Sequence, residues 1–471
     1  MALVAMMNGG VSEPPGGGHR ALARGVIAAG ALLALCAACT GTGASHRSAR
    51  SVTASAPAPV GAASNSADGT ACRVPSAVLR PHLDQPTLAR MRAVVLALAG
   101  HAWNPAAPIA KGAPTRGGVF VNWRAAWNGR SAAGPATNIA TSGVSDADAG
   151  TDARHDPLAD LIILRDIDGY LATGARDDSV VQLECRLRPI VAGEFNAYGV
   201  DRGWIYSQLI DLSELDDGGP WLAAAQHYAD LLSRGYIDPV TGAEREPRTG
   251  DYRSDYAAET AAALVDAGHR FGRPDWVAQG SRAARYLVMH AADAGTGLYA
   301  GELHVNATAS HDDVVDPLVK VGAQAQLLDS LLSVYDETRD VELLDAVQRS
   351  VAALDNPSLG VADNQSGGYY YALNASGTGV RTEYKETRQA WMLPLFQRLQ
   401  HDSPDGSART EQFAAFVRDG LFRPTGQGYV YRVAPDLRDY TSSVNGATLS
   451  ENWISSEATG IALDALMGSL S

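Results

Sequence analysis

The chain has 471 residues, 46% hydrophobic and 19% charged, with a net charge of −14 and a pI near 5.2. That length and apolar content allow a large core. The acidic balance, with no Lys/Arg cluster, argues against a nucleic-acid partner, because phosphates are met by basic stripes.

At the N-terminus, His19, Arg20 and Arg24 precede the apolar run Val26–Leu35, which is short for a bilayer span and is followed by small residues. The run ends Leu35-Cys36-Ala37-Ala38-Cys39-Thr40. This resembles a bacterial lipobox, although that pattern prefers Leu where Cys36 stands. The resemblance implies export, lipidation of Cys39 and a membrane contact through that lipid alone; plain cleavage after Ala38 is the other reading. Residues 1–39 are therefore read as a lipoprotein-type signal peptide. Residues 40–70 are Ser, Ala, Thr, Gly and Pro with almost no large apolar side chain, too little to order a segment, and read as a disordered tether. The domain expected from residue 71 onward would work outside the cytoplasm. There Cys72 and Cys185 are free to form one disulfide, or to stay two buried thiols. No Cys-x-x-Cys pair is matched by a second, so no metal is expected.

Leu88–Ala99 reads as a first apolar helix after Pro86. Residues 103–155 read as an irregular insertion with one strand-like piece, Gly118–Trp123. Pro157 opens a helix to about Leu171, and Asp177-Asp178 starts the next. Further helices are expected near 203–214, 220–234, 255–270, 274–292, 317–336, 340–354, 384–400, 408–420 and 453–469. In the 317–336 segment Asp316 reads as N-cap and Pro317 as first helical residue, and Leu318, Val321, Ala325, Leu328, Leu332 and Tyr335 recur at helical spacing. Its second apolar row marks it as buried among helices.

Between pairs of helices stand short Gly-aromatic pieces, at Gly235-Tyr236-Ile237, Gly297-Leu298-Tyr299-Ala300, Gly368-Tyr369-Tyr370-Tyr371 and Gly428-Tyr429-Val430-Tyr431. This is an irregular internal repeat of two helices and a turn, and one such hairpin cannot bury both faces alone. From about residue 80 to the end, the alternation of very apolar with amphipathic helices and the Gly-Tyr pieces resemble the six-hairpin (α/α) toroid superfamily, which holds glycoside hydrolases, polysaccharide lyases and sugar 2-epimerases. The fold class expected is thus mainly α, an (α/α) toroid with short strand pieces in its loops. The resemblance implies a funnel lined by the starts of the inner helices and a carbohydrate ligand.

Four helix starts carry candidate chemistry. Asp255 and Glu259 lie four apart on one helix face, with Tyr256 between them; a cap and a first-turn acid would look the same. Asp312 and Asp313, beside His311 and Asp316, resemble the Asp-Asp pair of endo-mannanase-type toroids, although Val314-Val315 follows where that family has aromatics. Close carboxylates repel and keep one protonated. Glu386, Arg388 and Trp391 offer a carboxylate, a cation and a stacking platform at the next start. Trp453 and Glu457 open the last helix, with Ser450 as a cap and Gly460 marking close packing. Glu194 and Trp204 flank a further polar-aromatic stretch. Glycoside hydrolysis needs two carboxylates at a set separation, so Glu386 and Asp312 or Asp313 head the list, with Asp255, Glu259 and Glu457 behind. No nucleophile elbow, phosphate loop or metal spacing is found, and no cofactor is expected. His269, His290, His304 and His311 would serve epimerase or lyase chemistry, and a glycan-binding envelope protein without catalysis fits the same features.

Overall fold

In the computed structural model, the described residues are 85–103, 117–119, 122–123, 157–195, 203–216, 219–246, 249–399, 406–424, 427–444, 447–450 and 454–468. All of them fall in one unit, Pro59–Ser471. The expected signal peptide, the tether, Cys39, Cys72, Trp453 and most of the 103–155 insertion lie outside them.

Twelve α-helices are found among the described residues, and they alternate in character. Six are amphipathic: α1 (Gln85–His101), α3 (Asp178–Phe195), α5 (Trp221–Gly235), α7 (Pro274–His290), α9 (Val341–Leu354) and α11 (Gly406–Ala415, continued by a π turn Phe416–Gly420). The other six each follow one of these: α2 (Pro157–Ala172), α4 (Trp204–Leu215), α6 (Ser254–Arg270), α8 (Val321–Thr338), α10 (Met392–Leu399, entered by a 3₁₀ turn Thr387–Trp391) and α12 (Ser456–Met467). The second set is enclosed. In α2 every residue after Pro157 is buried, the charged Asp160, Arg165, Asp166 and Asp168 among them.

The inner helices form a closed ring: α2 touches α4, α4 touches α6, α6 touches α8, α8 touches α10, α10 touches α12, and α12 returns to α2. Polar and charged pairs bridge neighbours around it. His269 of α6 meets Glu337 of α8 at 2.7 Å, Arg398 of α10 meets Asp329 of α8 at 2.6 Å, and Arg165 of α2 meets both Asp464 of α12 and Asp211 of α4.

The loops ahead of the inner helices are tied in the same sequence. The strands are β1 (Asn122–Trp123), β2 (Asp251–Arg253), β3 (Glu302–His304), β4 (Asp313–Asp316), β5 (Leu318–Lys320), β6 (Ala372–Asn374), β7 (Lys385–Glu386), β8 (Phe422–Arg423), β9 (Gly428–Tyr429), β10 (Arg432–Val433), β11 (Thr441–Val444), β12 (Ala447–Ser450) and β13 (Ile454–Ser455). The strand entering each of four inner helices pairs antiparallel with a strand of another inner helix's entry loop: β2 with β3, β5 with β6, β7 with β10, and β13 with β1.

Three loops repeat one turn. Asp238, Asp293 and Asp363 each accept backbone N–H groups two or three residues on. Thr241, Thr296 or Ser366 then accepts the N–H two residues after itself. A glycine at φ 81°, 73° or 82° follows, a conformation other residues avoid. Six residues after the aspartate stands a bridged residue: Glu244, Tyr299 or Tyr369. The Gly-aromatic pieces aligned Tyr236 with these tyrosines. The turn shows instead that Tyr236 is the C-cap of α5 and that Glu244 holds the tyrosine position.

The expected helix start at Asp316-Pro317 is corrected. Asp316 Oδ1 accepts the Leu318 N–H, bending the chain between two strands, and Leu318–Lys320 pairs with Ala372–Asn374 before α8 begins at Val321. Strand pairing gives these backbone groups partners that a first helical turn would leave open. The last helix likewise starts later than expected, and its cap is Ser455, whose Oγ accepts the Ala458 N–H, in place of Ser450.

Candidate active site at the inner-helix mouth

The starts of the inner helices bring polar side chains together at one end of the ring. α6 supplies the centre. Arg253, the last residue of β2, donates from Nε and Nη2 to the two oxygens of Asp255 at 3.0 and 2.5 Å. Its Nη1 reaches Tyr256 Oη at 3.1 Å, and the guanidinium lies 4.1 Å from the Tyr256 ring centre. Tyr256 and Asp255 are thereby fixed by one planar cation, a bidentate geometry that suits arginine.

One turn on, Glu259 is buried and accepts the Trp204 N–H from α4 at 3.3 Å. The close approach needs Gly203, where a Cβ would stand 2.3 Å from the Glu259 carbonyl carbon. The Trp204 ring meets Trp391, from the 3₁₀ turn before α10, edge-on at 6.3 Å. Arg388 of that turn is buried, sits 5.4 Å from the Trp391 ring and donates to Gln326 of α8 at 2.8 Å. Gly322 lets α8 pass it, since a Cβ there would lie 2.6 Å from Arg388 Cβ. Arg253 and Arg388 are near enough to oppose one another's charge.

Glu244 completes this group from the repeated turn. It is 8% exposed, and among the described residues its carboxyl has no hydrogen bond or ion pair. Burial, with the negative charges of Asp255, Glu259 and Glu246, pushes it up to about 8. Glu302 on β3 is also raised, by burial and by Asp251 and Asp316, against Arg253.

Of the residues singled out in the sequence, Asp255, Tyr256, Glu259, Trp204, Arg388 and Trp391 meet here. Asp312 is buried, but its oxygens accept from Tyr252 Oη (2.7 Å), Tyr286 Oη (2.8 Å) and the Asn306 N–H (2.8 Å), which ties β2 to the end of outer helix α7. Asp313 is exposed on β4. Asp312 and Asp313 therefore have different surroundings, one buried and hydrogen-bonded, the other exposed. Glu386 is buried at the entry to the 3₁₀ turn, where its carbonyl accepts from Gln389 Nε2 (2.9 Å) and its strand pairs with Arg432. Its carboxylate has no hydrogen bond to the Asp255 group. Glu457 is half-buried on the first turn of α12, and Glu194 is buried at the end of α3. His269 and His304 are in surface pairs with Glu337 and Asp251, His290 stacks on Tyr286 at 4.2 Å, and His311 is exposed. Cys185 is disulfide-bonded; the other three cysteines lie outside the described residues. Sequence reading missed Glu244, Arg253 and Gln326; the Asp-x-x-Thr/Ser-Gly turn was the signal for the first.

No protein-family model and no curated protein matches this sequence. Solved structures do match. An unsaturated glucuronyl hydrolase specific for heparin superposes with a TM-score of 0.54 at 13% identity, over 81% of this chain and 96% of that one. The GH76A alpha-1,6-mannanase from Salegentibacter sp. HEL1_6 gives 0.52 at 11% identity, covering 81% and 98%. Its inactive variant in complex with alpha-1,6-mannotriose gives 0.53 at 11%, covering 82% and 100%. The chain is a six-hairpin (α/α) toroid. Within the toroid the six hairpins pair in order from α1/α2 to α11/α12, and the acid-rich mouth belongs to the third, α5/α6.

Proposed function

We propose that this toroid is a carbohydrate-active enzyme that hydrolyses glycosidic bonds of an envelope or extracellular polysaccharide. The observation that carries the reading is the meeting of Asp255, Glu259 and Glu244 at the mouth beside Trp204, Trp391, Tyr256 and two arginines. Carboxylates supply acid and base, aromatic faces stack on sugar rings, and guanidinium forks bind hydroxyl and carboxylate groups. Bound oligosaccharide in a neighbour of the same fold supports a carbohydrate ligand.

The test is to incubate the full chain with a panel of bacterial envelope polysaccharides and assay new reducing ends. Cleavage is expected, without the absorbance of an unsaturated product. An unsaturated product would replace hydrolysis by elimination, and binding without cleavage would leave a glycan-binding protein.

The same proposal places the domain outside the cytoplasm, held by a lipid on Cys39. Among the described residues no helix is long and apolar enough to cross a membrane. Cys39→Ala should move the protein from the membrane to the soluble fraction. Unchanged fractionation would sink the anchor.

A further inference from the structure

The repeated turn makes Glu244 an exception that packing does not explain. Tyr299 and Tyr369 fill the same place with fully buried rings, and the N–H of each is received by a glutamine of the following inner helix, Gln324 or Gln389. In the third hairpin a glutamate stands at the tyrosine position, and, counted from the entering strand, α6 carries Tyr256 and Ala257 where the other two hairpins carry their glutamine. A carboxyl thus stands where the other two turns bury a large ring. Burying a carboxyl without a partner opposes folding, so a purely structural position would have kept the tyrosine.

The groups that face Glu244 all disfavour its charge. Asp255 and Glu259 lie on α6, Glu246 is in its own loop, and Tyr252 of β2 also feels its charge. Arg282 of α7 packs on neighbouring Gly242, yet it does not hold the Glu244 carboxyl. Arg245, next in sequence, is taken by Asp238 at 2.6 Å. Among the described residues the site therefore has one carboxyl that a cation holds, Asp255, and one with no hydrogen bond or ion pair, Glu244. Two carboxyls whose surroundings pull them apart in this way divide into base and acid.

We propose that Glu244 is the proton donor of the site, giving its proton to the leaving glycosidic oxygen as the C–O bond breaks. The proton leaves Glu244, the bonding pair goes to the departing oxygen, Asp255 takes a proton from the water that adds to the sugar carbon, and exchange with solvent then returns Asp255 to its anion and Glu244 to its acid form. This rests on the hydrolase reading above and adds the identity of its acid.

The experiment is Glu244→Gln in the full chain, assayed on the polysaccharide that the wild type cleaves and on an aryl glycoside of the same sugar with a phenolate leaving group that needs no proton. Glutamine matches the neutral acid in shape and charge, so the fold should persist. Cleavage of the polysaccharide should fall by about 10² to 10⁴-fold, while the aryl glycoside should lose less than about tenfold, and the alkaline limb of the pH–rate profile should vanish. A residue that only supports the fold would lower both substrates together and leave the limb in place, and that result overturns the proposal. Wild-type-like cleavage of the polysaccharide by the variant overturns it too, while leaving the hydrolase reading intact. If the wild type itself releases no reducing ends, the hydrolase reading fails first and the proton donor falls with it.

Discussion

Arg165→Met should destabilise this domain by about 3–5 kcal/mol, the loss found when one partner of a buried charge cluster is removed. Arg165 is 1% exposed and meets three carboxylates: Asp464 at 2.6 Å, Asp211 at 3.0 Å and Asp166 at 3.3 Å. These come from α12, α4 and α2, so the guanidinium sits where the last inner helix meets the first two and the ring closes. Without it three carboxylates face one another in a low-dielectric seam. Burial already raises Asp166, and it raises Asp211 to about 6. The sign follows from those shifts. A carboxyl with a raised native value binds more protons folded than unfolded, so stability falls as pH rises from the unfolded value through the native one. Removing the arginine raises the native values further. The variant's deficit in urea unfolding should therefore be largest near pH 8 and should shrink toward pH 5. Against a typical domain stability of about 5–15 kcal/mol, that loss shows clearly. A deficit under about 1 kcal/mol, or one independent of pH, would mean the seam is held by apolar packing alone.

The parts of this molecule that were legible in the sequence are those set by local periodicity. The inner helix α8 shows two apolar rows, and its burial among helices could be read from that spacing before the fold was seen. Asp255, Glu259, Arg388 and Trp391 could be picked out because each stands in the first turns of an inner helix, and the ring brings those turns together. What local pattern could not carry was the course of the loops. Asp316-Pro317 has the chemistry of a helix start, yet β6 offers Leu318–Lys320 a ladder, and a contact more than fifty residues away decided the outcome. Other long-range contacts fix Asp312 and Asp313: tyrosines of β2 and α7 claim Asp312, and Asp313 is exposed on β4, paired with β3. Glu244 was hidden for a different reason. Its neighbours in sequence are ordinary turn residues, and its meaning appears only when three turns are laid over one another and the tyrosine is seen to be missing.

Asp255→Asn should lower turnover by about a thousandfold, within the range for loss of a positioned acid–base group, while leaving glycan binding near that of the wild type. Arg253 engages both Asp255 oxygens and Tyr256 as well, so the carboxyl is fixed in orientation, as a base or nucleophile requires. Asparagine keeps the shape, but it offers one oxygen where the fork expects two and removes the negative charge. Some stability goes with it, since Arg253 loses its counter-charge at a partly exposed site. The separation of the two effects lies in rescue. If Asp255 acts on the sugar or on water, added azide or formate should restore turnover of an aryl glycoside, because a small anion can take the vacated place. A variant that had merely lost its fold would not respond to the anion. Asp255→Asn at wild-type rates, with Glu259→Gln inactive, would move the base one turn along α6 to the residue that receives the Trp204 N–H. The mouth of the third hairpin would remain the site, with the roles of its two acids exchanged.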